Sequence, residues 1–132
     1  MAEIRVETFT EVPPEQLFPY FVTAAGVTCW LSAPDVFEPS AGGFIRLPLD
    51  GRLIAGQVLE VVAPRRVLMS WQINWPDRLA PSMSKLELTV RPQKRGSRIV
   101  IIHWNLPEGR LPQLRVDWDQ RLIRLLAAVN SE

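Results

Sequence analysis

Trp118, Leu122, Leu125, Leu126 and Val129 stand at offsets of 4, 7, 8 and 11 near the end of the chain, the spacing of one apolar stripe along a helix. That spacing predicts a helix from about Leu114 to Val129, with Asp117 and Asp119 in its first turns, where carboxylates oppose the helix dipole favourably. A helix of this length is marginal alone in water, so its stripe has to be buried against something. Most of what precedes it alternates with period two. The partner is therefore a sheet.

Glu3 to Thr10 sets Ile4 and Val6 against Arg5 and Glu7, as a half-buried strand does. Val12-Pro13-Pro14-Glu15 ends it and places proline in the first turn of a helix, where its missing N–H costs nothing. Leu17, Phe18, Phe21 and Val22 recur at helical spacing and carry that helix to Gly26; a short second helix or turn holds Val27, Trp30 and Leu31. Short strands follow at Asp35 to Pro39 and Phe44 to Leu47, around the turn Ala41-Gly42-Gly43. Asp50-Gly51 signals a tight hairpin. Longer strands run from Leu53 to Val62 and from Val67 to Trp75, and Pro76 to Ser82 reads as a loop. Leu86, Leu88 and Val90 then alternate with Lys85, Glu87, Thr89 and Arg91. Ser97 to Asn105 is apolar on both sides, with Ile99, Ile101 and His103 on one and Val100, Ile102 and Trp104 on the other. Such a strand is central or has one face in an interface. The order is strand, helix pair, about six antiparallel strands, long helix: an α+β chain.

Its 132 residues, 47% of them apolar, make one domain over 1–132 with ample core, and exclude a disordered chain. A formal charge of +1 gives no reason to expect nucleic acid. Lys85 and Lys94 are the only lysines, a bias toward arginine that a compositional habit explains as well as anion pairing does. Cys29 is alone, and no Cys or His cluster has metal-site spacing, so no metal or cofactor is expected. The start, MAEIRVETF, lacks the basic and apolar regions of a signal peptide, and no window approaches a membrane span. The expected location is the cytoplasm.

Several pieces, in order and spacing, are similar to one family. They are Val12-Pro13-Pro14-Glu15-Gln16-Leu17-Phe18, Trp30-Leu31, Gly42-Gly43-Phe44-Ile45-Arg46, and Gly51 with Gly56-Gln57-Val58-Leu59-Glu60-Val61. Pro64-Arg65-Arg66-Val67-Leu68 leading into Trp71, then Gly96-Ser97-Arg98-Ile99, His103 and Trp118 complete the set. On these the chain resembles the activator-of-Hsp90-ATPase homologue 1-like family, within the START-like, polyketide-cyclase-like (SRPBCC) superfamily. The resemblance implies a helix-grip fold: a curved antiparallel sheet wrapped around the long C-terminal helix, with two short helices after the first strand and a hydrophobic cavity between. It implies no single shared chemistry. In the family a glycine often follows the histidine by two positions; here Asn105 stands there.

The expected function is binding of a small hydrophobic or aromatic ligand in that cavity, with no catalytic residue assigned. Candidate lining residues are Trp30, Trp71, Trp118 and Leu122, with His103, Arg46 and Glu60 as polar selectors, the last two placed by the resemblance. His103 is the sole histidine and shares parity with Ile99 and Ile101, so a core role leads over proton transfer. Cys29 reads as a buried small residue rather than a reactive thiol. Five tryptophans fill a core or line an aromatic pocket. One alternative is a cyclase- or hydratase-like enzyme in which His103 moves a proton, favoured by a carboxylate or Tyr20 beside it. Another is a protein-interaction or stress-related module, monomeric or homodimeric, using the second helix stripe Val116, Ile123 and Ala127 and the two-sided strand.

Overall fold

The computed structural model describes residues 2–77 and 81–131. In chain order the elements are β1 (Ala2–Thr10), α1 (Pro14–Leu17), α2 (Pro19–Val22), α3 (Ala24–Trp30), β2 (Val36–Phe37), β3 (Phe44–Leu49), β4 (Arg52–Val62), β5 (Arg66–Asn74), β6 (Ser82–Gln93), β7 (Gly96–Leu106) and α4 (Leu111–Asn130). The strands form one sheet ordered β1-β7-β6-β5-β4-β3-β2, and every neighbouring pair is antiparallel. Hairpins make every link except the one between β1 and β7. The sheet's inner face grips α4, whose Leu114, Trp118, Leu122, Leu125 and Val129 are all buried. This is the helix-grip, START-like architecture.

The expected helix through Gly26 is instead broken into pieces. Phe18 keeps helical angles and joins α1 to α2, but Thr23 is extended, at φ −128° and ψ 149°. Its Oγ1 accepts from the Gly26 N–H at 2.9 Å, so a new helix starts one residue later. α4 begins at Leu111, three residues ahead of the expected start. Pro112 does not interrupt it, because proline fits a first turn. Of the loop expected over residues 76–82, residues 78–80 lie outside the described residues, and Ser82 already belongs to β6. No helix among the described residues is long and apolar enough to cross a membrane.

Two irregularities decide which side chains face inward. At the end of β7 the register with β1 shifts between Ala2 and Ile4, and Asn105 takes φ +67°. That is the left-handed region, which glycine or asparagine tolerates best. The shift turns Leu106 into the core. On β4 the register shifts between Val58, which pairs with Met69, and Glu60, which pairs with Leu68. The extra residue reverses the facing of everything after it.

Candidate functional site

The centre of the grip is aromatic. β5 contributes Trp71, α3 Trp30 and α4 Trp118, all nearly inaccessible. Trp118 lies 6.4 Å, ring centre to ring centre, from both Trp30 and Trp71, and 5.7 Å from His103 on β7. His103 faces inward beside Ile4 and Leu86, as its alternation predicts. The structure therefore brings together Trp30, Trp71, His103 and Trp118, with Leu122 one helical turn along.

Hydrogen bonding fixes the protonation of His103. The Trp118 indole Nε1–H donates to His103 Nδ1 at 3.0 Å. An indole N–H can only donate, so Nδ1 carries no proton and the neutral ring bears it on Nε2. Nε2–H then donates to Ser84 Oγ at 2.8 Å, and the Ser84 hydroxyl donates to the Trp71 carbonyl at 2.6 Å. Every partner in the chain Trp118, His103, Ser84, Trp71 is satisfied. Burial, with the Arg121 charge adding to it, pushes His103 from its ordinary 6.5 down to about 3. Ser84 and His103 resemble a nucleophile and base by distance alone. The Trp118 donor makes Nε2 the donor instead, so His103 cannot take the Ser84 proton.

Beside this neutral core lies a charged layer that the sequence reading did not find. The turn between β3 and β4 has Asp50 at φ +52° and Gly51 at φ +78°, the two left-handed residues of a type I′ hairpin. It presents Asp50 and Arg52 to α4, whose Asp117 and Arg121 are one turn apart. The pairs cross: Arg52 Nη1 donates to Asp117 Oδ2 at 2.9 Å, and Arg121 Nη2 to Asp50 Oδ2 at 2.7 Å. Gln113 Nε2 holds the other Asp117 oxygen at 2.8 Å. The guanidiniums of Arg52 and Arg110 both lie over the Trp75 ring, at 4.8 and 4.3 Å from its centre, and Arg121 sits 4.5 Å over Trp118. Burial lowers the Arg121 pKa from its ordinary value, while the hydrogen bond and charge of Asp50 oppose the shift.

Arg46 and Glu60 are not part of either group. Arg46 alternates with the buried Ile45 and Leu47, so it points out of the sheet and pairs with Asp35 at 3.7 Å. Glu60 shares the inward parity of Ile54 and Val58 by simple counting, but the β4 bulge turns it outward onto Arg66. Cys29, expected inside, is exposed: α3 buries Gly26, Val27 and Trp30, and the Cys29 thiol points away to bond the Ala25 carbonyl. The missed polar residues had signals. Ser84 is two positions before Leu86 on the inward parity, and Arg121 is three after Trp118 on the buried helix face.

The cavity between sheet and helices is nearly closed. A void of about 10 Å³ remains, walled wholly by apolar side chains including Phe21, Val27, Trp30, Leu31, Phe37 and Trp71. A larger hollow among the described residues, about 530 Å³, is an open groove near Met83, Lys85 and Trp104, and Ser84 is also in its lining. Among the described residues no cluster of His, Cys, Asp and Glu is arranged to hold a metal ion.

Comparison with known structures finds the same fold repeatedly. A protein of Mesorhizobium loti is 19% identical with a TM-score of 0.89, over 98% of each chain. An AHSA1 protein of Silicibacter pomeroyi is 23% identical with a TM-score of 0.79, also over 98% of each. The Aha1 dimer of Colwellia psychrerythraea, a solution structure, is 17% identical with a TM-score of 0.81, over 98% of this chain and 96% of that one. Curated proteins give no significant match. The profile described as activator of Hsp90 ATPase homolog 1-like protein matches residues 11–130, and the chain belongs to that family.

Proposed function

We propose that the protein binds a small hydrophobic or aromatic molecule between the sheet and the helices, in the cytoplasm, without a catalytic step of its own. The observation that carries this reading is the wholly apolar void over Trp71, roofed by Trp30 and Leu31. At about 10 Å³ it matches roughly one water-sized probe, so a ligand enters only if the roof moves. That roof is light. It consists of the 7-residue α3 with Leu31 after it and the 2-residue β2, both short beside the 20-residue α4 and the long strands of the sheet. Trp30 and Trp71 line the void and are the first contacts this reading assigns; Trp118 and Leu122 are outside its lining and join only when it widens, and Arg46 and Glu60, on the outer face, have no part in it. His103 supports binding over catalysis, because both ring nitrogens are committed to protein partners and neither partner is a carboxylate or Tyr20.

Native mass spectrometry of protein purified gently from its own host tests the reading, together with thermal shifts against a broad apolar panel. A ligand present at a hundredfold its Kd adds about 2.7 kcal/mol of stability. A retained small molecule or a clear upward shift is the expected result. An unchanged melting temperature across the whole panel, with no retained mass, contradicts it.

A second reading is a homodimer. Val116 and Ile123 on α4, at 48% and 66% exposure, favour it, and one relative is described as a dimer. Light scattering decides: a strict monomer at high concentration removes it.

A further inference from the structure

The Arg121 side chain is 3% exposed, and its only hydrogen-bonded partner among the described residues is one oxygen of Asp50. The bond uses Nη2. Nε, on the same edge of the guanidinium, is buried without a protein partner. An arginine edge offers two parallel N–H donors matched to the two oxygens of one carboxylate. Here Asp50 fills half of it. A buried donor left unmade is costly, and the few that occur in folded proteins call for an explanation.

The surroundings supply one. Asp50 belongs to a two-residue turn, and its side chain is 37% exposed, so it stands between the buried guanidinium and water. Swung outward it loses little, because its charge is already partly hydrated. Inward of Arg121 is the Trp118 ring at 4.5 Å, and Trp118 in turn lies against Trp30 and Trp71, which wall the apolar void. From solvent inward the order is therefore an exposed carboxylate, a half-used arginine edge, the Trp118 ring and the two indoles that wall the void.

We infer that the Nε–Nη2 edge of Arg121 is a binding site for the carboxylate of a small apolar acid, which takes the place of Asp50 and lays its hydrocarbon body against Trp118. The inference rests on the ligand-binding reading above and gives the ligand its polar end. A monoanion suits the site better than a phosphate dianion, since it substitutes one carboxylate for another and leaves Arg52 and Asp117 undisturbed.

Calorimetric titration of wild type, Asp50→Asn and Arg121→Gln with 2-naphthoate, 4-phenylbutyrate and decanoate, each against its neutral amide, tests it. Asparagine tolerates the left-handed turn conformation and its amide oxygen still accepts from Arg121 Nη2, so Asp50→Asn keeps the hairpin, and thermal unfolding of each variant reports the cost of the lost charge. Wild type is expected to prefer at least one acid over its amide by about tenfold or more, as a charge-assisted bidentate pair gives. Asp50→Asn is expected to tighten the acid severalfold and leave the amide unchanged, and Arg121→Gln to erase the preference. Amides binding as well as acids in wild type and Asp50→Asn overturns this inference while the apolar-ligand reading stands. An acid preference that survives Arg121→Gln also overturns it. No binding of any acid or amide to any of the three proteins overturns both.

Discussion

The two polar groups inside the grip, a few ångströms apart, solve burial in opposite ways. The Trp118–His103–Ser84–Trp71 chain is neutral, linear and complete: each donor meets one acceptor, and the histidine sheds its charge to stay there. The clasp of Asp50, Arg52, Asp117 and Arg121 keeps its charges and pairs them crosswise at the edge of the sheet, leaving Arg121 Nε unmet. Desolvation explains the division. A neutral imidazole needs only its two hydrogen bonds, whereas an ion needs a counter-ion and some access to water. The first group holds the grip shut at its centre, and the second leaves an edge open to exchange partners.

This contrast breaks most visibly in acid. Unfolded His103 titrates near its ordinary 6.5 and folded His103 only near 3, so above 6.5 both states are neutral and the residue adds no pH dependence. Between those values the unfolded chain alone binds the proton, and stability falls with pH by up to about 5 kcal/mol in total. His103→Gln separates this from carboxylate titration, because glutamine accepts from Trp118 and donates to Ser84 without titrating. Urea midpoints for the two proteins are expected to converge as pH drops from 6.5 toward 3; parallel curves would count against a neutral core histidine. Trp118→Ala comes next, at about 4 kcal/mol, from the cavity plus the orphaned Nδ1. A loss under 1 kcal/mol in chemical denaturation would mean the aromatic cluster is not what packs α4.

The clasp is expected to respond less. Asp117→Asn leaves the part-buried Arg52 without its counter-charge at about 2 kcal/mol, less than a fully buried pair because water still reaches the edge. A cost equal to that of Trp118→Ala would erase the distinction between centre and edge. Smallest of all are Arg46→Gln and Glu60→Gln on the outer face, within about 0.5 kcal/mol each. A larger change in thermal unfolding for either would mean that its ion pair is worth more than an exposed pair gives.

Much of the fold was legible because it depends on periodicity. The α4 stripe, the parity of β6 and β7 and the Asp50-Gly51 hairpin all follow from spacing, and His103 and Trp118 face inward as their neighbours require. Glu60 was placed by family likeness, and counting by two gives no correction, since it cannot see a bulge and no residue near Leu59 announces one. Arg46 was placed by family likeness against its own alternation with Ile45 and Leu47. Arg121 lay on the buried helix face in plain view, but a charge in an apolar stripe gains meaning only once a partner is known. Asp50 is 71 positions away, and only the folded hairpin brings it near. The closed state of the cavity was beyond any pattern, since it depends on how three indoles fill one space.

The most direct test of the division between centre and edge is the ring of His103 itself, followed by ¹⁵N NMR across the acid range. The account predicts one neutral tautomer, with the proton on Nε2 and Nδ1 bare, unchanged from pH 8 down to pH 5. A ring that carries its proton on Nδ1, or that titrates near 6.5, would contradict it.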